Sequence, residues 1–510
     1  MVDTYIGTIF TISASINSNQ TGKSMKQIFV LLLTFVCLQS FAQNTASVTI
    51  ATPAKFEAQV TLILEDVHFH PNLGIGLSDT KLETIASVNL MEKQSEKVSV
   101  QISEPKMMRL QFSGGGVNKT RMLFIQPGDD LTATFPGNSE ATFTGNTAIY
   151  QTFLQKHFLE NQYQYLPVFG YRPAQIENKA VALQSDSLKQ ARLTAYQQFK
   201  STNPNAAPAF EAYVNATTQT ESSVIRRLIQ EKIMRRNRVS RLEPAQQKEL
   251  EDLTLAEFKV LPDDALLSQS YREELRNWIS IPALRKFPLS ASSNYEISAD
   301  ALKEIYADSK SKLQANPKQQ AYLLTYWLNY AATALPNTDV AKTLLADYKS
   351  TLPQSEYTEY ISKLITTKET LKAGAMAPEF TLLNGDSTAV SLNQLKGKPV
   401  CLVFAFSIGQ HEPALKALEE KYKGKVTFVY TLMTSGIPLH TWKPYATERA
   451  DTKHLWASEE NIDLLKEKYA VDIRYPFAVI DANGKIVDRW IPQEFPNNKT
   501  LEATIQKALQ

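Results

Sequence analysis
Sulfur is scarce in this chain. Two cysteines, Cys37 and Cys401, in 510 residues exclude a disulfide framework and any Cys-rich zinc site. An excess of one charge sign is missing too: 54 Lys+Arg against 52 Asp+Glu leave +2, which excludes a dedicated nucleic-acid binder drawn in by its field. After residue 40 no apolar run is long enough for a membrane span. Glycine numbers only 18, and none occurs between Gly170 and Gly374. Sheets and hairpins draw on glycine for φ > 0, so that stretch reads as helical. What is present is ordinary globular usage, 43% hydrophobic and 21% charged, which excludes wholesale disorder. The length sets a prior of about three domains.

An export signal stands near the start. Met25-Lys26-Gln27 precedes the apolar run Ile28–Leu38, and Ser40 and Ala42 supply small residues at −3 and −1, the pattern of a secretory signal. The first 24 residues are polar, so Met25 reads as the true start and residues 1–42 as upstream segment plus signal peptide. Cys37 follows Val36, where lipoprotein processing wants Gly or Ala. Cleavage after Ala42 removes Cys37 and leaves Cys401 as the single thiol, without an internal partner in an oxidising compartment. The expected location is the periplasm or cell envelope.

Three zones follow. Residues 44–147 carry short β-rich segments (Val60–Leu64, Lys97–Ile102, Met107–Phe112) parted by turns such as Ser113-Gly114-Gly115-Gly116 and Pro127-Gly128-Asp129-Asp130. This predicts an N-terminal antiparallel β-sandwich. Residues 148–372 predict an all-α middle domain. Its candidate helices include Asn146–Glu160, Ser187–Ser201, Pro208–Asn215, Glu221–Arg236, Pro244–Val260, Leu267–Ile279, Ala299–Gln314, Lys318–Ala334 and Val340–Ser350. No fixed repeat emerges. Residues 374–510 alternate strands and helices, an α/β unit.

The third zone is the informative one. It opens with Ala377-Pro378-Glu379-Phe380, continues through Ser391-Leu392-Asn393-Gln394-Leu395-Lys396-Gly397-Lys398 into the buried strand Val400–Phe406, and ends with Pro476-Phe477-Ala478-Val479-Ile480-Asp481-Ala482-Asn483-Gly484-Lys485-Ile486-Val487. In this order and spacing the blocks resemble the TlpA/ResA-like branch of the thioredoxin superfamily, over residues 374–510. The resemblance implies an α/β thioredoxin-like fold, a thiol–disulfide oxidoreductase activity in the cell envelope, and a cis-proline at Pro476 facing the active site. A proline heading a strand is where such a bond is tolerated.

The chain departs from the family at the chemistry. Active members place Cys-x-x-Cys between the first core strand and first helix, where the helix N-terminus lowers a thiol pKa. Here the junction reads Phe406-Ser407-Ile408-Gly409-Gln410-His411-Glu412-Pro413. Aligned from the strand, Gly409 and Glu412 occupy the cysteine positions; aligned from Pro413, Ala405 and Ile408 do. Neither register supplies sulfur, and the loop is shorter than the family pattern. Ser407, Ile408, Gly409, Gln410, His411 and Glu412 therefore read as a degenerate active-site loop with no catalytic residue. His411 and Glu412 lack a reactive partner and suit a solvated helix start. Cys401 lies mid-strand, where cysteine acts as a small hydrophobe.

Other features weigh toward structure. His68 and His70 share a strand face with Asp66 but lack a further ligand, so they read as two exposed edge histidines and no metal site is expected. Arg226, Arg227, Lys232, Arg235, Arg236, Arg238 and Arg241 form a basic run, readable as an anionic-surface contact or a solvated helix face. Tyr322, Tyr326, Trp327 and Tyr330 recur at helical spacing, as a sugar or peptide groove or, more often, a helix seam. The sandwich with Pro127–Asp130 and Phe143–Asn146, and the block Thr202–Ala207, are similar to regions preceding thioredoxin modules in exported proteins of Gram-negative bacteria. The function expected is non-catalytic and without cofactor: a docking module for an unknown envelope protein or peptide, through a groove at Pro476 and Ser407–Gln410. Glycan or lipid binding through the first two zones is a further alternative.

Overall fold
Alternation of apolar and polar residues with period two builds the N-terminal part. In the computed structural model, which describes residues 44–70, 78–158, 178–237, 243–287, 297–407, 409, 412–434, 436–446, 452–494 and 498–510, eight strands form two four-stranded sheets. The expected signal peptide and the Met25 start lie outside the described residues. The strands are β1 (Thr45–Ala51), β2 (Ala58–His70), β3 (Ser78–Asn89), β4 (Ser95–Gln101), β5 (Lys106–Gly114), β6 (Val117–Ile125), β7 (Asp130–Thr134) and β8 (Thr142–Gly145). One sheet has the order β4-β1-β7-β8, the other β3-β2-β5-β6. Their inner faces carry Val48, Ile50, Val60, Leu62, Leu110 and Leu131, all buried. The sandwich departs from a purely antiparallel one in a single pair among those described: β1 runs parallel to β7. Strands so distant in sequence are not bound by hairpin geometry, so either sense is open to them.

A helix, α1 (Ala148–His157), closes this part. Its buried Gln151 accepts from the Phe124 N–H at 2.9 Å and donates to the Phe124 carbonyl at 2.5 Å. The side-chain amide thus stands in for a neighbouring strand at the end of β6.

Two compact units result, the first holding the sandwich up to Glu65 and again from Leu82 through α1. The second takes residues 66–81, the far end of the β2–β3 hairpin, together with everything from the next helix onward. That next stretch is helical: α2 (Asn178–Thr202), α3 (Pro208–Asn237), α4 (Pro244–Glu257), α5 (Gln269–Lys286), α6 (Ala299–Lys312), α7 (Pro317–Ala334), α8 (Asp339–Thr351) and α9 (Tyr357–Thr370). Ser268 and Ser298 cap α5 and α6 by accepting from Tyr271 N–H and Ala301 N–H, and Pro317 sits in the first turn of α7, both preferred starts. The segments expected as Pro208–Asn215 and Glu221–Arg236 are one helix, because nothing between them is Gly or Pro. Helix α5 runs through Pro282 rather than ending before it, its far end held by the buried Ala283. Helix α9, absent from the candidates above, buries Ile361, Leu364 and Ile365.

The C-terminal part is a five-stranded sheet of order β13-β12-β11-β14-β15, from β11 (Val400–Ala405), β12 (Thr427–Leu432), β13 (Thr452–Leu455), β14 (Phe477–Ile480) and β15 (Ile486–Ile491). A small hairpin, β9 (Thr381–Leu383) and β10 (Ala389–Ser391), precedes it. β11, β12 and β13 are parallel; β14 and β15 are antiparallel to their neighbours. Helices α10 (Glu412–Lys421), α11 (Leu439–Trp442), α12 (Glu459–Tyr469) and α13 (Lys499–Ala508) accompany the strands. The sequence blocks have local causes. Ser391 and Gln394 form a capping box that starts a 3₁₀ turn. Asp481 Oδ1 accepts from Asn483 and Lys485 N–H, and Gly484 at φ +85° completes that turn.

Candidate functional site
β11 is central and wholly buried. It ends at Ala405, and α10 opens at Glu412. Between them Ser407 and Gly409 are exposed, and Gly409 takes φ +70°, a value that suits glycine. Thr434 Oγ1 donates to the Phe406 carbonyl at 2.5 Å, tying this turn to the segment after β12. Ile408, Gln410 and His411 lie outside the described residues, as does the Glu412 side chain.

No sulfur stands at this junction. Cys401, the second residue of β11, is fully buried, paired in register with Phe428 of β12 and Val479 of β14. Burial pushes its thiol far above the ordinary range, and the Glu419 carboxylate pushes the same way. The thiolate that exchange chemistry requires is therefore disfavoured.

Pro476 heads β14 and is buried; its carbonyl accepts from Phe404 N–H at 2.8 Å. Tyr475 beside it donates its N–H to the Asp472 carbonyl at 3.0 Å and offers its carbonyl to Arg489 Nη1 at 2.7 Å. Its hydroxyl donates to the Ala334 carbonyl, at the end of α7, at 3.1 Å. Strand addition needs free backbone groups; those of residues 475 and 476 are engaged within the chain. At Tyr475, beside the groove expected at Pro476, the helical region of the same unit makes contact.

Arg489 organises this corner. It is fully buried and donates to the carbonyls of Tyr469 (2.7 Å), Ala470 (3.3 Å), Tyr475 (2.7 Å) and Phe477 (3.3 Å). Its guanidinium lies over Phe404 and Trp490, 4.8 and 5.0 Å from the ring centroids. Burial lowers it to about 10, so it stays charged at neutral pH and binds the end of α12 to the strand start at Pro476. Across from it Lys368 donates to the carbonyls of Ala332, Thr333 and Leu335 and sits 4.5 Å over Trp490. It thus satisfies the open end of α7. Neither residue stood out in the sequence; the only signal for Arg489 was a charge on the apolar parity of a strand.

Parallel β11–β12–β13, an antiparallel β14–β15 hairpin and a proline at the head of β14 settle the fold. It is thioredoxin-like. No protein-family model matches the chain, and no curated protein matches it. Similar solved structures include the thioredoxin domain of a thiol-disulfide oxidoreductase from Bacteroides vulgatus (23% identity, covering 28% of this chain and 99% of that one, TM-score 0.23). A thioredoxin-like protein from Bacteroides caccae (12% identity, 49% and 94%, TM-score 0.31) and ScoI of Arabidopsis thaliana with copper bound (18%, 26% and 98%, TM-score 0.23) are further examples. This chain's thioredoxin-like domain has no disulfide-forming cysteine pair and is redox-inactive in that sense. Among the described residues no helix is long and apolar enough to cross a membrane.

The helical region holds a second concentration of chemistry. Asp79, from the hairpin end, is buried against α5 and α7. It accepts from Arg272 Nε at 3.1 Å, from Arg276 Nη1 and from the Tyr322 hydroxyl at 2.5 Å. Burial alone would raise its carboxyl, but the two guanidiniums and the hydroxyl outweigh it and hold Asp79 far below the usual carboxylate range. Arg276 also lies over the Tyr326 ring at 4.7 Å. Beside this cluster is a cleft of about 560 Å³, with Phe69 and Tyr322 in its wall and the α8–α9 connection at its rim.

The remaining candidates are placed as follows. Tyr322 and Trp327 are buried, with Phe69 packed on Tyr322, Tyr326 and Tyr357. The stripe is thus a seam against the hairpin end, and Tyr322 also meets the cleft. His68 is not an exposed edge histidine: its Nδ1 lies 3.2 Å from the Tyr357 hydroxyl, because the hairpin end packs on α9. The His70 side chain is outside the described residues. Groups of three or more His, Cys, Asp or Glu able to hold a metal are absent among the described residues. In the basic run, Arg227 turns inward to Glu274, which is buried, and to Thr254 Oγ1 at 2.9 Å. The Lys232, Arg235 and Arg236 side chains, and Arg238 and Arg241 altogether, lie outside the described residues.

Proposed function
We propose that this is an exported envelope protein in which a redox-inert thioredoxin-like domain serves as a docking element and not as a catalyst. The observation that carries the reading is Cys401: once a signal is cleaved after Ala42 it is the only thiol, and it is sealed inside β11 with its pKa raised. The engagement of Tyr475 by Ala334, and of Trp490 by Lys368, supports a domain that docks inward on its own helices. Ser407 and Gly409, both exposed, are offered to an envelope protein or peptide. The alternative is a TlpA-like oxidoreductase working through Cys401 or another chain's cysteine. Insulin reduction separates the two. No turnover above buffer is expected, whereas turnover abolished by Cys401→Ser would establish the alternative. Amino-terminal sequencing of the envelope-fraction protein tests export, with residue 43 expected first.

A further inference from the structure
Helix α7 is held by distant segments at both ends of its buried stretch. Toward its start the partner is the β2–β3 hairpin. β5 accompanies β2 only as far as Glu65, and beyond it Phe69 belongs not to the sandwich core but to the apolar cluster of Tyr322, Leu328, Leu402, Phe404 and Ile480. Phe69 meets the rings of Tyr322 and Tyr326 at 5.4 and 6.2 Å between centroids. Asp79, on the other strand of the hairpin, accepts from the Tyr322 hydroxyl at 2.5 Å and is the counter-charge of Arg272 and Arg276 on α5. His68 reaches Tyr357 of α9. The hairpin end thus ties α5, α7 and α9 together.

From Tyr322 to Ala334 is about 18 Å along the helix, and there the thioredoxin-like domain takes over. The Ala334 carbonyl accepts from the Tyr475 hydroxyl at 3.1 Å. Lys368 of α9 holds the Ala332 and Leu335 carbonyls while lying 4.5 Å over Trp490 of β15. The Tyr475 carbonyl accepts in turn from Arg489, whose guanidinium lies 4.8 Å over Phe404 of β11. Between these ends α7 buries Leu323, Leu324, Leu328 and Ala331, with no Gly or Pro after Pro317 at which to bend. A stiff helix packed along its length carries a loss at one end to the other.

We propose that residues 66–70 and 78–81 are a strap that holds α7, and through α7 the Tyr475–Trp490 side of the thioredoxin-like domain, so that hairpin end, helices and five-stranded sheet open as one cooperative unit. An independent thioredoxin-like module would keep β11 equally protected whatever befell the hairpin; a strapped one does not. The docking role above is not assumed, and the insulin assay does not touch the strap, so the two fail separately.

The test uses the full chain with Cys37→Ser, which leaves Cys401 as the only thiol, in the same strand as Leu402 and Phe404. Where labelling by a thiol reagent is slower than reclosing, its rate in urea just below the unfolding transition follows the population with β11 open. Phe69→Ala empties a ring from the shared core and Asp79→Asn leaves two guanidiniums without a counter-charge. Each should raise the Cys401 labelling rate about a hundredfold or more. Phe69→Leu, a smaller loss, should raise it about tenfold and keeps the test open if the alanine variant fails to fold. Labelling that stays within about threefold of the parent in both Phe69→Ala and Asp79→Asn, while the helical signal of the same variants melts earlier, overturns the proposal.

Discussion

Replacing Asp79 by Asn isolates the electrostatics that hold the hairpin end to the helices. The carboxylate is nearly inaccessible, 8% exposed at its side chain, beside Arg272 at 1% and Arg276 at 19%. At 3.1 Å the Arg272 pair alone is worth about 5 kcal/mol for an effective dielectric near 20. Asn keeps the shape but leaves two guanidiniums without a counter-charge, and breaking a buried pair in this way costs about 3–5 kcal/mol. For a unit of this size that lowers the melting temperature by on the order of 10 °C. Adding Arg272→Met to Asp79→Asn should recover part of the loss, a coupling of about 1–3 kcal/mol, because the uncompensated charge goes with it. The pH dependence has a fixed sign. A carboxyl depressed in the folded state contributes fully above its unfolded pKa of about 4 and less as pH falls toward the folded value. The gap between wild type and Asp79→Asn should therefore be full at pH 7 and smaller at pH 3. Urea unfolding followed by tryptophan fluorescence reads this, since Trp278 lies on the helix that carries both arginines. Asp79→Asn unfolding within about 1 kcal/mol of wild type at pH 7 would refute the reasoning.

Arg489→Met removes the donor from four buried carbonyls and should cost at least about 3 kcal/mol, with a shift in Trp490 emission as its cation partner is lost; an unchanged urea midpoint would show that the arginine is dispensable. Gly145→Ala places a Cβ 2.1 Å from the Asp130 carbonyl oxygen at φ +118° and should cost about 2 kcal/mol or more, whereas Gly116→Ala, with nothing within 4 Å, should be milder; differential melting of the two variants checks the ranking. Cys401→Ser buries a hydroxyl in an apolar cluster at a cost of about 1–3 kcal/mol, and in the wild type Cys401 should react with a thiol reagent only once urea unfolds the chain.

Local patterns in the chain carried much of the architecture. Short β-rich segments parted by turns marked the strands at Val60–Leu64 and Met107–Phe112, which fall within β2 and β5. Helical runs without glycine marked the middle. Helix ends were harder: nothing between Asn215 and Glu221 breaks the helix that runs through them, and the tolerated Pro282 shows packing overriding a local stop signal. The parallel β1–β7 pair could not be read, since strand sense across a long connection leaves no trace in either strand.

The sequence by itself decided that residues 374–510 hold one cysteine and no Cys-x-x-Cys, because sulfur cannot be supplied by folding, and the resemblance carried by the ordered blocks from Ala377 to Val487 implied the kind of sheet. Only the tertiary structure decided the rest. It brought Asp79 to Arg272 across 193 residues, turned Arg489 from an ordinary strand charge into the clasp at Pro476, and spent the Tyr475 hydroxyl on Ala334. A buried ion and a solvated one look the same in sequence; their difference is the removal of water, which depends on what distant segments are packed on top.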